Sequence, residues 1–163
     1  MIRTIDIGKE KLGLVAFLCF ILGYDQLAIQ SGWHQKFGWN GSDYFDDPKV
    51  VDLCEANERN DTKEMKRLVD QGVNVNATGK GNMTPLLWAF PDNKIDRFKL
   101  LLENGGSANV VVEADFNTRQ AINPGDSVTI LAARTAFPDQ LGLLLEYGGK
   151  TLAKSCLINL TRK

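Results

Sequence analysis

The residue types that carry catalytic chemistry are few and scattered. His34 is the single histidine of this 163-residue chain. A Ser/His/Asp or Cys/His relay needs a base beside a nucleophile and an orienting group, and none can be assembled in the rest of the chain without it. Cys19, Cys54 and Cys156 are widely spaced and match no metal-ligand pattern. Their odd number argues against a full disulfide framework, and they read as small buried hydrophobes. Asp43, Asp46 and Asp47 read as solvated acids or helix caps. Gly79-Lys80-Gly81 lacks the preceding strand and the Lys-Ser/Thr ending of a phosphate loop. The sequons that begin at Asn40, Asn60, Asn82 and Asn159 fit the glycosylation pattern. They are read as coincidental, because asparagine has local turn and capping roles in this chain. The net charge of −1 gives no reason to expect a nucleic-acid partner. The expectation is therefore a non-enzymatic protein with no catalytic residue, no cofactor and no metal.

The elements that would position any functional surface repeat themselves. Gly72 and Gly105 lie 33 residues apart, as do Asn76 and Asn109, Leu68 and Leu101, Ala56 and Ala89, and Leu53 and Leu86. A period of about 33 residues built from two short helices and a turn marks a stacked helical solenoid. In the first unit, Asp47-Pro48 supplies an N-cap and a proline at the first helical position. Val50, Val51, Leu53, Cys54 and Ala56 form the buried stripe. Asp61-Thr62-Lys63-Glu64 starts a second helix, with Glu64 placed to reach back as in a capping box. Met65, Leu68 and Val69 share its inner face, and Gly72 stands where a left-handed C-cap is needed. The second unit opens with Thr84 as cap and Pro85 as first helical residue. Asp92 or Asn93 is expected to cap its second helix, with Ile95, Phe98, Leu101 and Leu102 inward.

The third unit is displaced. Gly105 and Gly148 lie 43 residues apart, and the pattern resumes at Val128-Thr129-Ile130-Leu131-Ala132-Ala133. The extra residues fall within 110–127, in the turn between the second and third units. Val110, Val111 and Val112 favour an extended strand there, and Asn123-Pro124-Gly125-Asp126 is a turn signal.

Thr84-Pro85-Leu86-Leu87-Trp88-Ala89 resembles the TPLHxA motif of ankyrin repeats. Leu101-Leu102-Glu103-Asn104-Gly105-Gly106-Ser107-Ala108-Asn109 resembles their LLLENGADVN ending, which Leu68-Val69-Asp70-Gln71-Gly72-Val73-Asn74-Val75-Asn76 repeats more loosely. The resemblance covers residues 48–150, about three repeats. The first repeat lacks the Thr-Pro start, the third has Val128-Thr129 in its place, and Leu87 and Leu131 stand at the family's histidine position. The resemblance implies an all-α ankyrin-repeat solenoid of stacked helix-turn-helix units with projecting hairpin-like fingers. It also implies partners that are proteins, held by finger tips and the concave helix face.

The N-terminal region falls outside the repeats. Residues 12–24 are apolar and uncharged, with Arg3, Lys9 and Lys11 before them and Asp25 after. That flank predicts a signal peptide or membrane anchor over residues 1–29, with attachment through residues 9–29 and the repeats outside the cytoplasm. Residues 30–46 are an aromatic linker or cap, expected to cover the open end of the first repeat. Residues 47–163 make up the repeat domain.

The expected binding surface comprises Thr78, Lys80 and Met83 of the short finger and Trp88 of the adjoining helix. It continues through Glu113, Asp115, Phe116, Asn117 and Arg119 of the long finger, with Phe116 and Arg119 as residue types enriched in interface hot spots. Phe116 is expected to be solvent-exposed in the free protein. The alternative is an accessory role, stabilising a membrane or envelope complex. The sequence does not identify the partner or the oligomeric state.

Overall fold

A computed structural model of the chain describes residues 33–116 and 122–151. The expected leader or anchor, finger residues Asn117 and Arg119, and the tail beyond Thr151 lie outside these described residues. Seven α-helices are described: α1 (Trp33–Phe37), α2 (Pro48–Glu58), α3 (Thr62–Asp70), α4 (Pro85–Ala89), α5 (Ile95–Glu103), α6 (Val128–Thr135) and α7 (Pro138–Glu146). Short 3-10 turns lie at Gly41–Asp43 and Lys80–Asn82. Among the described residues there is no strand beyond one isolated antiparallel bridge, Val111 to Ser127. Of the three consecutive residues Val110 to Val112, Val111 forms this bridge.

The helices form three pairs, α2/α3, α4/α5 and α6/α7, as the repeat pattern predicts. Each pair packs on the next: α2 against α4, α3 against α5, and α5 against α7. This is the all-α, ankyrin-like solenoid. Its core is continuous through the stack and includes Leu53, Met65, Leu86, Phe98, Leu101, Leu131 and Leu144. Ala56, Ala89 and Ala132 are fully buried at matching positions, where a small side chain lets neighbouring helices approach. At about 25 cal/mol per Å2 of apolar surface removed from water, this shared interior is the main stabilising contribution.

The helix starts follow from their caps. Asp47 Oδ1 accepts from Lys49 N at 2.9 Å, Asp61 Oδ1 from Glu64 N at 3.0 Å, and Thr84 Oγ1 from Leu87 N at 3.1 Å. Ser127 takes the same role for α6, accepting from Ile130 N. Two capping expectations are corrected. Glu64 does not reach back but pairs with Arg67 at 2.5 Å. Neither Asp92 nor Asn93 caps α5; its N-cap is Lys94, without a side-chain bond. Asp92 is instead drawn to buried Arg97, as described below.

The helix ends repeat with fidelity. Gly72, Gly105 and Gly148 adopt φ of 87°, 86° and 84°, the left-handed region where a β-carbon is unfavourable. Four residues beyond the first two of these, Asn76 and Asn109 link successive repeats. Asn76 donates to Gly105 O at 2.7 Å and accepts from Ser107 N at 2.7 Å. Asn109 donates to Gly148 O at 3.0 Å and accepts from Lys150 N at 2.8 Å. Each amide thus satisfies one carbonyl and one N–H of the next turn.

Candidate protein-interaction surface

The two fingers are fastened to each other. The short finger closes on itself through Gly79 N to Met83 O at 2.8 Å and Asn82 N to Gly79 O at 3.0 Å. The long finger lies alongside, with Glu113 N donating to Gly81 O at 3.0 Å and Asn82 Nδ2 to Val111 O at 3.2 Å. Gly81 has φ 66°, and a β-carbon there would run into that of Ala114 and meet the Phe116 ring at 3.0 Å. The close approach of the fingers therefore requires glycine at this position.

The base of the long finger is part of the fold. Val112 N donates to Asp126 O and Gly125 N to Val112 O, both at 2.8 Å. Val112 and Ile122 are buried. Asp126 accepts from Arg134 of α6 at 2.7 Å and from Asn123 N at 3.0 Å, which ties the returning leg to the third repeat. The extra residues are thus anchored at their root.

The expected surface residues divide by exposure. Thr78, Lys80, Glu113 and Asp115 are exposed along the finger edge. Met83 and Trp88 are both fully buried at 0%. The expectation that these two touch a partner is corrected for this conformation, since each is covered by the protein's own residues. Phe116 is half-buried rather than free, its ring 5.7 Å from that of Trp39 and 5.8 Å from that of Tyr44. The finger folds back onto aromatic residues because exposed rings bury more apolar area there than in solvent.

Those aromatics come from the N-terminal segment, which does more than close the first repeat. Over Trp88 of α4 lie His34, stacked at 4.6 Å and 23°, then Trp39 at 5.5 Å, Tyr44 at 5.5 Å and Phe45 at 6.3 Å. The segment thus covers a helix of the second repeat. Beside the rings is a buried polar network. The His34 Nε2 atom lies 2.7 Å from Trp88 O, which fits an Nε2–H tautomer donating to that carbonyl, while Nδ1 faces Asp92 Oδ2 at 3.5 Å. Asp92 also accepts from Trp33 N at 3.0 Å and from Arg97 at 2.6 Å. Arg97, 1% exposed, donates in addition to Asn57 O.

Burial holds the His34 imidazole below its usual pKa; Asp92 and the Trp88 carbonyl oppose this, and Arg97 adds to it. Burial likewise pushes the Glu58 carboxyl up, against the Trp88 indole. Cys54 is raised well above the usual thiol range by burial first, then by Glu58 and Glu55, which makes it an inert core thiol. Nothing in the sequence pattern flagged His34, Asp92 and Arg97 as a group. The available signal was an arginine next to Phe98 on a helix face otherwise turned inward.

An open cleft of about 490 Å3 lies between residues 43–47 and the short finger, lined in part by Tyr44, Asp46, Val50, Thr78 and Lys80. Among the described residues no cluster of His, Cys, Asp or Glu has the makings of a metal site.

No protein-family model matches the chain, and no curated protein does. One solved structure that it resembles is the human ASB11 ankyrin repeat domain, at 28% identity and a TM-score of 0.49. The alignment covers 60% of this chain and 40% of that domain, so the chain spans well under half of the structure it matches.

Proposed function

We propose that the chain is a non-enzymatic protein-binding module that holds another protein along the joined edge of its two fingers. The observation that carries this reading is the pair of bonds Glu113 N to Gly81 O and Asn82 Nδ2 to Val111 O. They present Thr78, Lys80, Glu113 and Asp115 on backbone already fixed before any partner arrives. Such preorganisation lowers the ordering cost of association. The test compares proteins captured by the wild-type chain with those captured by a variant carrying Thr78→Ala, Lys80→Glu, Glu113→Lys and Asp115→Lys. All four positions are exposed, and circular dichroism of the variant checks that its helices are kept. Capture of the same proteins at the same level by both forms would refute the reading.

We propose further that the repeats lie outside the cytoplasm, on the strength of the apolar run at 12–24 and its one-sided basic flank. Among the described residues no helix is long and apolar enough to cross a membrane. A reporter fused after Lys163 that is active only in the cytoplasm would refute the export proposal.

A further inference from the structure

Residues 33–39 are joined to the repeats by few polar bonds, and those converge on one spot. Within the segment, Trp39 N donates to His34 O at 2.8 Å and Gly38 N to Gln35 O at 3.2 Å. These bonds make it a self-contained turn. Among the described residues, two hydrogen bonds tie it to the repeats: His34 Nε2 to Trp88 O and Trp33 N to Asp92 Oδ1. The remaining attachment is ring packing of His34 and Trp39 on Trp88, with Trp39 also against Tyr44 and Phe116. Gly38 closes the turn at φ 67°, with nothing within 4 Å of where a β-carbon would stand.

We propose that residues 33–39 are a releasable strap over the Trp88 face, and that protonation of His34 is what loosens it. The strap occupies the helix face beside the fingers, so this inference rests on the reading of that region as a partner surface. What the strap shows of that surface is its chemistry. It takes aromatic rings on Trp88, an N–H donor for the Trp88 carbonyl and a second donor for Asp92. A partner that replaces the strap is a protein segment bringing an aromatic side chain with those donors.

The charges around His34 explain why a proton opens the latch. Asp92 faces it at 3.5 Å, but its carboxylate is already paired with Arg97 of α5 at 2.6 Å. A second cation there meets a neutralised anion and the like charge of Arg97. Glu58 of α2, beside Trp88, is itself pushed toward its neutral form by burial. Lys36, on the strap's own helix, adds positive charge. Trp33, Trp39 and Trp88 surround the imidazole and keep water from solvating the new charge. The lowered pKa agrees in sign. A closed strap binds the proton less readily than an open one. The closed form is therefore fully favoured above the ordinary histidine value and loses that advantage as pH falls below it.

The chain's three tryptophans, Trp33, Trp39 and Trp88, all sit at this latch, so tryptophan emission, excited apart from tyrosine, reports on it. The experiment takes the full chain from about pH 7.5 to pH 5, following tryptophan emission, acrylamide quenching and far-ultraviolet circular dichroism. The expected result is a shift of emission to longer wavelength and a severalfold rise in quenching, with the helical signal unchanged. His34→Gln keeps a donor for the Trp88 carbonyl but cannot titrate, so its emission should not depend on pH. A variant already open at neutral pH would equally support His34 as the latch. Wild-type emission that stays constant would overturn the proposal. So would emission that changes only together with loss of helix, or a His34→Gln variant that titrates like wild type. None of these readouts involves a partner, so failure of the binding reading and failure of the strap are distinguishable.

Discussion

Replacing Asp92 by asparagine tests the buried network most directly. Arg97 is 1% exposed and the Asp92 carboxylate 13% exposed, at a separation of 2.6 Å. The guanidinium keeps its bond to the Asn57 carbonyl, but after Asp92→Asn its charge has no anion. Removing one partner of a buried ion pair costs about 3–5 kcal/mol, because the other charge stays desolvated. The asparagine amide still accepts from Trp33 N, and Asp92 is not wholly shielded from water, so the lower end applies, about 3 kcal/mol. Urea unfolding followed by circular dichroism reads the loss as a lowered midpoint at constant slope. Adding Arg97→Met should then recover about 1–2 kcal/mol, since an apolar side chain of similar length removes the stranded charge. A single Asp92→Asn variant within about 0.5 kcal/mol of wild type would refute the reasoning, for it would mean that water or other groups already satisfy Arg97.

Gly105→Val places a branched side chain at φ 86° and should destabilise by about 2 kcal/mol; an unchanged melting midpoint would remove the claim that the helix end demands glycine. Asn109→Ala deletes the bonds to Gly148 O and from Lys150 N. Both are exposed, so the cost is about 1 kcal/mol, and faster hydrogen exchange at the Lys150 amide is the direct readout. Phe116→Ala removes a half-buried ring from Trp39 and Tyr44. It should lower stability by about 1–2 kcal/mol and raise quenching of Trp39; loss of partner binding at unchanged stability would show instead that the ring is free to serve as an anchor.

The repeat framework was legible in the sequence because its signals are local. Thr84-Pro85, Asp47-Pro48 and the recurring glycines fix where helices begin and end, and those positions hold. The cap of α5 does not follow from its local sequence. Asp92 and Asn93 are both competent caps by type, but the side chain that decides the matter, Arg97, acts through burial rather than spacing. The largest difference concerns residues 33–45. Their aromatic content is visible, but which helix they cover is not. The contact from His34 to Trp88 spans 54 positions and carries no period. For the same reason Trp88 and Met83 read as candidate surface residues and prove to be core. Residue type and loop position mark Phe116 as a candidate anchor, and nothing local indicates Tyr44 and Trp39 beneath it.

The asparagine rungs have a consequence for how the chain tolerates change in length. Gly72 to Asn76 and Gly105 to Asn109 keep the same four-residue offset, while the spans from Gly72 to Gly105 and from Gly105 to Gly148 differ by ten residues. The clamp that sets the stacking of one repeat on the next is therefore separate from the stretch that varies. With Val112, Ile122 and the Asp126–Arg134 pair closing its root, the long finger is a port into which foreign sequence can be grafted. The added chain leaves the helix registry alone, and its closure cost grows only with the logarithm of its length.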